Sequence, residues 1–159
     1  STGSLGHGMS IGVGMALAAK LQNRKSRVII ILGDGETNEG SVWEAAMSAA
    51  NHKLSNLTVI IDYNKIQALS KIDDVLPLSN LKKKVESFNW NCVDIKDGHS
   101  FNSLIKSFLK KNKSKKPTAF IINTIKGKGV KEFENDPVWH ARQLKGHEIE
   151  IGKKRLGIK

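Results

Sequence analysis

Aromatic residues make up only 6% of the 159-residue sequence and do not interleave with its basic clusters. That removes the stacking platform a single-stranded nucleic-acid binder needs. Cysteine is nearly absent: the single Cys92 has no internal partner for a disulfide, as suits a reducing cytosol. No Cys/His cluster has zinc spacing. No apolar run approaches the ~20 residues that span a bilayer. Nor does a charged stretch followed by an apolar core open the sequence, so no signal peptide is read and a cytoplasmic location is expected. Acidic side chains are the minority charge, 15 against 26 Lys and Arg, for a formal net charge of +11. The excess gathers in lysine clusters at 82–84, 110–116 and 126–131 and at the C-terminus. No helix-turn-helix, RRM or zinc-finger pattern accompanies them. Solvated basic faces are the preferred reading, with a field that attracts phosphorylated small molecules. No nucleic-acid and no membrane partner is expected.

What is present is an alternation of strand and helix. The length and a hydrophobic content of 39% suit one domain with a sizeable core. Two apolar runs, VIIIL at 28–32 and LTVII at 57–61, each lead into polar groups. After the first comes Gly33-Asp34-Gly35-Glu36-Thr37-Asn38-Glu39-Gly40; after the second, Asp62-Tyr63-Asn64-Lys65-Ile66. The first run lacks polar alternation, as expected of a strand buried on both faces. Between them, Val42, Trp43, Ala46, Met47 and Ala50 fall at helical spacing over 42–51, with Asn38 or Ser41 as candidate caps. Oxygen ligands thus collect at the C-terminal ends of two neighbouring strands, the edge where open α/β sheets bind ligands. The glycines admit backbone N–H groups close to an anionic oxygen, and the helix N-terminus behind them favours negative charge. An Asp carboxylate and an Asn carbonyl are hard donors, suited to Mg²⁺ or Ca²⁺ bridging a diphosphate. Gly-Asp-Gly alone is also an ordinary turn.

Upstream, Gly3, Gly6 and Gly8 mark a loop running into a helix over 9–21. Ile11, Met15, Ala18 and Ala19 lie near helical spacing there, and Gly12 and Gly14 allow close packing. Downstream, 67–79 reads as a loop containing Pro77, and Ser79 or Asn80 caps a helix through Leu81, Val85 and Phe88. A third strand over 90–95 ends at Asp97-Gly98-His99, and Ser100 or Asn102 opens a helix over 101–111. Pro117 then leads into a fourth strand over 118–124. The alternation predicts an α/β fold, a mainly parallel sheet with helices on both faces. Beyond the fourth strand, Lys126-Gly127-Lys128-Gly129 is a second glycine loop at a strand end, placed for an anion, followed by Pro137-Val138-Trp139-His140. Residues 143–159 read as a basic amphipathic helix with a frayed end.

GDG followed about thirty residues later by Asn is the signature of the thiamine-diphosphate (ThDP) enzymes, and Asp34 and Asn64 lie thirty positions apart. The stretch GDGETNEGSVWEAAMSAANHKLSNLTVIIDYNKIQ resembles transketolases in particular, as do TGSLGHG near the start, DGH at 97–99, and KGKG with the later WH. The resemblance covers essentially the whole chain. It implies the diphosphate-binding domain of the ThDP fold and transfer of a two-carbon ketol unit between ketose and aldose phosphates, as in the pentose phosphate pathway. It also implies ThDP and Mg²⁺ as cofactors, with Ca²⁺ or another divalent cation able to replace Mg²⁺. By the same resemblance Gly3, Ser4 and Leu5 contact ThDP, Gly33 and Gly35 line its diphosphate, and Asp34, Asn64 and the Ile66 carbonyl bind the metal. His140 is carried over as the catalytic residue that touches the diphosphate and the substrate's reacting oxygens. His7 stands where many transketolases have glutamine, and is either a phosphate donor or structural. Glu39 is either a dimer-interface residue or a helix-start carboxylate. Asp62 and His99 are read as structural.

The family's cofactor-activating glutamate belongs to a pyrimidine-binding domain, and most of its substrate histidines precede the position of Ser1. The resemblance therefore implies a single ThDP-binding domain over 1–159, truncated at its N-terminus, of the kind found as the amino-terminal subunit of split transketolases. Its partner would be a C-terminal subunit carrying the pyrimidine-binding domain, in a dimer of heterodimers. A non-catalytic scaffold or regulatory remnant of the same fold is the other reading, and the presence of Asp34, Asn64, Ile66 and His140 weighs against it.

Overall fold

The computed structural model describes residues 3–68, 70–110 and 114–158. Readings that fall on Ser1, Thr2, Leu69, Lys111, Asn112, Lys113 and Lys159, including the middle of the lysine run, lie outside the described residues. Strands β1 (Val28–Gly33), β2 (Leu57–Tyr63), β3 (Asn91–Ile95) and β4 (Thr118–Asn123) form one sheet in the order β1-β2-β4-β3, every pair parallel. The register sets Gly33 beside Asp62 and Tyr63 beside Asn123. The C-terminal ends of these strands therefore share one edge. Helices α1 (His7–Leu21), α2 (Gly40–Asn51) and α4 (Leu81–Ser87) cover one face. Met9, Val13, Ala16, Ala46, Ala49 and Val85 belong there to one core with Ile30, Leu32, Val59, Ile61 and Ile121. Helix α5 (Phe101–Phe108) lies on the other face, where Leu104 packs against Ile95, Phe120 and Ile122. A single turn, α3 (Ile72–Val75), interrupts the segment expected to be loop, and α6 (Gly146–Leu156) lies in the basic tail. Among the described residues no helix is long and apolar enough to cross a membrane.

Several expectations need correction. Helix α1 starts at His7 rather than Met9, and it buries Met9, Gly12, Val13, Ala16 and Ala19. Ile11 and Met15 point outward instead, 60% and 59% exposed. Spacing could not choose the inner face because this helix is apolar nearly all round. Gly12 chooses it: a Cβ there would stand 2.3 Å from Ile30 Cδ1, so α1 meets β1 at that point. In β1 only Ile30 and Leu32 are buried, whereas Ile29 and Ile31 are 59% and 71% exposed. Burial on both faces is thus met on one, because α5 sits over β3 and β4. Asn80 and Ser100 cap α4 and α5 as expected, accepting from the N–H groups of Lys83 (3.0 Å) and Ser103 (3.3 Å). Neither Asn38 nor Ser41 caps α2; its N-cap is Glu39, with no side-chain cap bond. A 3₁₀ turn, Gly35–Asn38, occupies the approach and uses Asn38 as its last residue.

The one-sided burial of β1 is testable in the isolated chain. Leu32→Ala should cost about 2–5 kcal/mol, as large-to-small changes in a core do. Ile31→Ala should cost less than about 1 kcal/mol. Urea unfolding with an unchanged m-value measures both, and equal losses would show that both faces are covered.

Candidate functional site

Strand β1 hands the chain to the 3₁₀ turn through Asp34. The Asp34 N–H donates to the Asp62 carbonyl (3.1 Å), carrying the β1–β2 ladder one residue past the strand end. The Asp34 carboxylate then faces the end of β2. Oδ1 accepts from the Gly35 N–H (2.8 Å) and Oδ2 from the Lys65 N–H (2.5 Å). Asn64 Oδ1 accepts from the Ile66 N–H (3.0 Å), an Asx turn, and the Ile66 side chain is buried. Thr37 Oγ1 donates to the Asp34 carbonyl (2.6 Å), and Trp43 Nε1 to the Thr37 carbonyl (2.8 Å), which fastens the turn to α2. Gly33, Asp34, Gly35, Asn64 and Ile66 are thereby brought to one edge by direct bonds.

Asp34 is 2% exposed. Burial pushes its carboxyl pKa up; the N–H bonds from Lys65 and Gly35 pull it down, and the nearby Asp62 raises it further. Among the described residues no ion pair reaches it. A buried carboxylate answered only by two amides carries uncompensated charge, which a bound cation relieves. Among the described residues no group of three or more His, Cys, Asp or Glu is arranged for a metal. The donor set on offer is therefore one carboxylate with amide and carbonyl oxygens. That set fits Mg²⁺ held partly by a phosphate ligand, not an all-protein cage. Gln67 packs against Gly35, whose added Cβ would lie 3.0 Å from Gln67 Cβ, and Gln67 Nε2 is buried without a partner. A spare buried donor beside the glycine turn also fits an anionic ligand.

The opening loop reaches this turn through a residue that the sequence reading missed. Gly3, Ser4 and Leu5 are exposed and run into Gly6. Gly6 has φ +81°, and a Cβ on it would stand 2.2 Å from Ser41 Oγ, so only glycine fits here. The Gly6 N–H donates to Glu36 Oε1 (2.8 Å), and the Gly33 N–H to Glu36 Oε2 (3.4 Å). A carboxylate inside a glycine-rich turn, within reach of otherwise open N–H groups, was the available signal. His7 Nδ1 donates to the Leu5 carbonyl (3.2 Å), a local bond, and Glu39 is exposed.

Across the edge, Asp62 Oδ1 accepts from Thr124 Oγ1. His99 Nε2 accepts from the Ile125 N–H (2.8 Å), and the Gly98 N–H donates to the Asn123 carbonyl (2.8 Å). Both side chains stitch strand ends together. In the second glycine loop, Gly127 has φ +77° and its Cβ would meet the Phe133 carbonyl at 2.3 Å, so close chain packing accounts for that glycine. His140 ends the 3₁₀ turn Pro137–His140 and is exposed. Its neighbour Trp139 packs on Phe133 (ring centroids 4.4 Å apart) and under the Arg142 guanidinium (4.3 Å). Although the residue is exposed overall, desolvation of the ring, and then Lys126, lower the His140 pKa from its ordinary value. No hydrogen bond joins His140 to the Asp34 turn among the described residues.

Over residues 1–159 the chain matches the family described as transketolase, thiamine diphosphate binding domain. It is 39% identical over 156 residues to one subunit of the apulose-4-phosphate transketolase of Actinobacillus succinogenes, covering 98% of this chain and 56% of that protein. It is 38% identical over 145 residues to the 6-deoxy-6-sulfo-D-fructose transketolase subunit SqwG of a Clostridium species, covering 91% and 52%. The chain thus spans about half the length of the curated relatives it matches. The solved transketolase of Campylobacter jejuni is similar in fold with a TM-score of 0.90 at 31% identity, over 99% of this chain and 26% of that one. With fold and sequence in agreement over residues 1–159, the chain belongs to the transketolase family, as a thiamine diphosphate binding domain.

Proposed function

We propose that this chain is the diphosphate-binding part of a transketolase-type transferase, working in a complex with a polypeptide that carries the pyrimidine-binding domain. The reaction is transfer of a two-carbon ketol unit between sugar phosphates, with ThDP and Mg²⁺ as cofactors. The observation that carries this reading is the buried Asp34 carboxylate, with no cationic partner among the described residues, at the end of β1 beside Asn64. Asp34, Asn64 and the Ile66 carbonyl would hold Mg²⁺, and Gly33 and Gly35 would line the diphosphate that completes its oxygen shell. Gly3, Ser4 and Leu5 would border the cofactor from the opening loop. ThDP supplies carbanion stabilisation when bound; the residues of this chain anchor and orient it. His140, whose pKa is lowered by desolvation and then by Lys126, would offer one ring nitrogen to donate and one to accept a proton at the reacting oxygens. Two of the relatives are themselves named as subunits, which supports a partner, and a dimer of heterodimers is the assembly expected.

In the complex with its complementing subunit, ThDP and Mg²⁺ together should slow proteolysis and raise the melting temperature, each alone doing far less. Asp34→Ala should weaken ThDP binding at least about 100-fold, near 2.7 kcal/mol, and remove its dependence on Mg²⁺. Unchanged protection in that variant would sink the metal assignment.

The His140 ring should titrate by NMR below 6.5, and Lys126→Gln should move the midpoint upward, because burial and Lys126 both disfavour the charged ring. The sign for stability follows. As pH falls through 6.5, the unfolded chain takes up the proton before the folded one, so stability is lost on the acid side and unaffected above. A midpoint raised above the ordinary histidine value, or one that Lys126→Gln leaves in place, contradicts this account of the ring's environment.

A further inference from the structure

The two segments assigned to ThDP, the opening loop and the glycine turn, come from different elements, and Glu36 bonds to both. We propose that Glu36 is a positioning residue that sets the spacing between them, so that both reach the same ThDP molecule; this rests on the cofactor reading above.

The geometry carries it. Glu36 Oε1 takes the N–H of Gly6 at 2.8 Å and Oε2 the N–H of Gly33 at 3.4 Å. Gly6 is the N-cap of α1 and has no side chain to cap that helix, so its open N–H groups need acceptors from elsewhere. The Glu36 carboxylate provides one, at a helix start where negative charge is favoured. Asp34, two residues earlier, reaches the opposite way, to the Lys65 N–H beyond β2. One short turn therefore pins three segments: the start of α1 and the end of β1 through Glu36, and the end of β2 through Asp34. Gly3, Ser4 and Leu5 immediately precede the pinned residue, so their distance from Asp34 is set by the length of the Glu36 side chain. Negative charge alone does not suffice for this role. An aspartate carries the charge one methylene short of Gly6, and a glutamine keeps the length with a single acceptor oxygen for two N–H groups.

Three variants test it: Glu36→Asp, Glu36→Gln and Glu36→Ala. In the chain without ligands, hydrogen exchange at the Gly6 amide should accelerate about tenfold or more in Glu36→Asp and Glu36→Ala, with Glu36→Gln intermediate. The Ile61 and Ile121 amides, in β2 and β4, should keep their wild-type rates and so report an intact fold. If Glu36→Ala also loosens those strands, Glu36→Gln decides. In the complex with the complementing subunit, Glu36→Asp should bind ThDP at least about tenfold more weakly while keeping its Mg²⁺ dependence, since Asp34 is untouched. An unchanged Gly6 amide overturns the proposal. So does a faster amide with ThDP affinity within twofold of wild type, or full rescue by Glu36→Asp. Wild-type protein that takes up no ThDP would overturn the cofactor reading, and this proposal with it; normal wild-type binding with unaffected variants overturns this proposal alone.

Discussion

A carboxylate buried at the end of a parallel strand is the constraint on which the rest of this site depends. Asp34 is removed from water, yet among the described residues only amide dipoles answer its charge. Burial alone would favour protonation, while the N–H bonds from Lys65 and Gly35 favour the anion, and Asp62 on the neighbouring strand opposes it again. Burial is the largest of these effects and the carboxyl pKa is raised overall; a bound divalent cation would favour the anion. The turn around it is built to keep it there. Thr37 holds the Asp34 carbonyl, Trp43 holds Thr37, and the ladder bond to Asp62 fixes the direction of the chain as it leaves β1.

The sheet makes that placement possible. Parallel register aligns Gly33 with Asp62 and Tyr63 with Asn123, so every loop that leaves a strand end meets the same edge. Side chains then knit the loops: Thr124 to Asp62, His99 to Ile125 and Glu36 to Gly6. None of these groups needs chemistry of its own. Their effect is to reduce the freedom of segments that a ligand would otherwise have to order, which is where preorganised sites gain affinity.

How much of this was legible in the sequence depended on whether the signal was local. β-Branched runs ending in glycine and oxygen ligands marked both strands and the turn, because that pattern needs only adjacent residues. The caps at Asn80 and Ser100 were readable for the same reason. The inward face of α1 was not, since a helix with Ile11, Met15 and Val13 on different sides offers no polar stripe to exclude; the choice was made by Gly12 against Ile30, a contact across elements. Nor was the bare face of β1 readable, because a run of isoleucines looks alike whether helices cover one side or two. Glu36 could be marked as a carboxylate inside a glycine-rich turn, but its bond to Gly6, thirty residues upstream, follows no spacing rule. Gly127 has a second, structural reason that the sequence did not show: its bare backbone accommodates the close approach of the Phe133 backbone.

Three features that remain unsatisfied point the same way. The native fold alone bears the penalty at Asp34, because an unfolded chain leaves that carboxylate in water. A ligand that binds the native state and relieves the penalty therefore stabilises the fold by its own binding free energy, about 2.7 kcal/mol at a hundredfold excess over its Kd. The exposed Ile29 and Ile31 add a cost in apolar area, one that a covering polypeptide would remove at roughly 25 cal/mol per Å². A net charge of +11 adds self-repulsion that an anionic ligand lowers. Charge burial, bare sheet and basic surface would thus each be relieved by the proposed loading with a phosphorylated cofactor and a covering polypeptide.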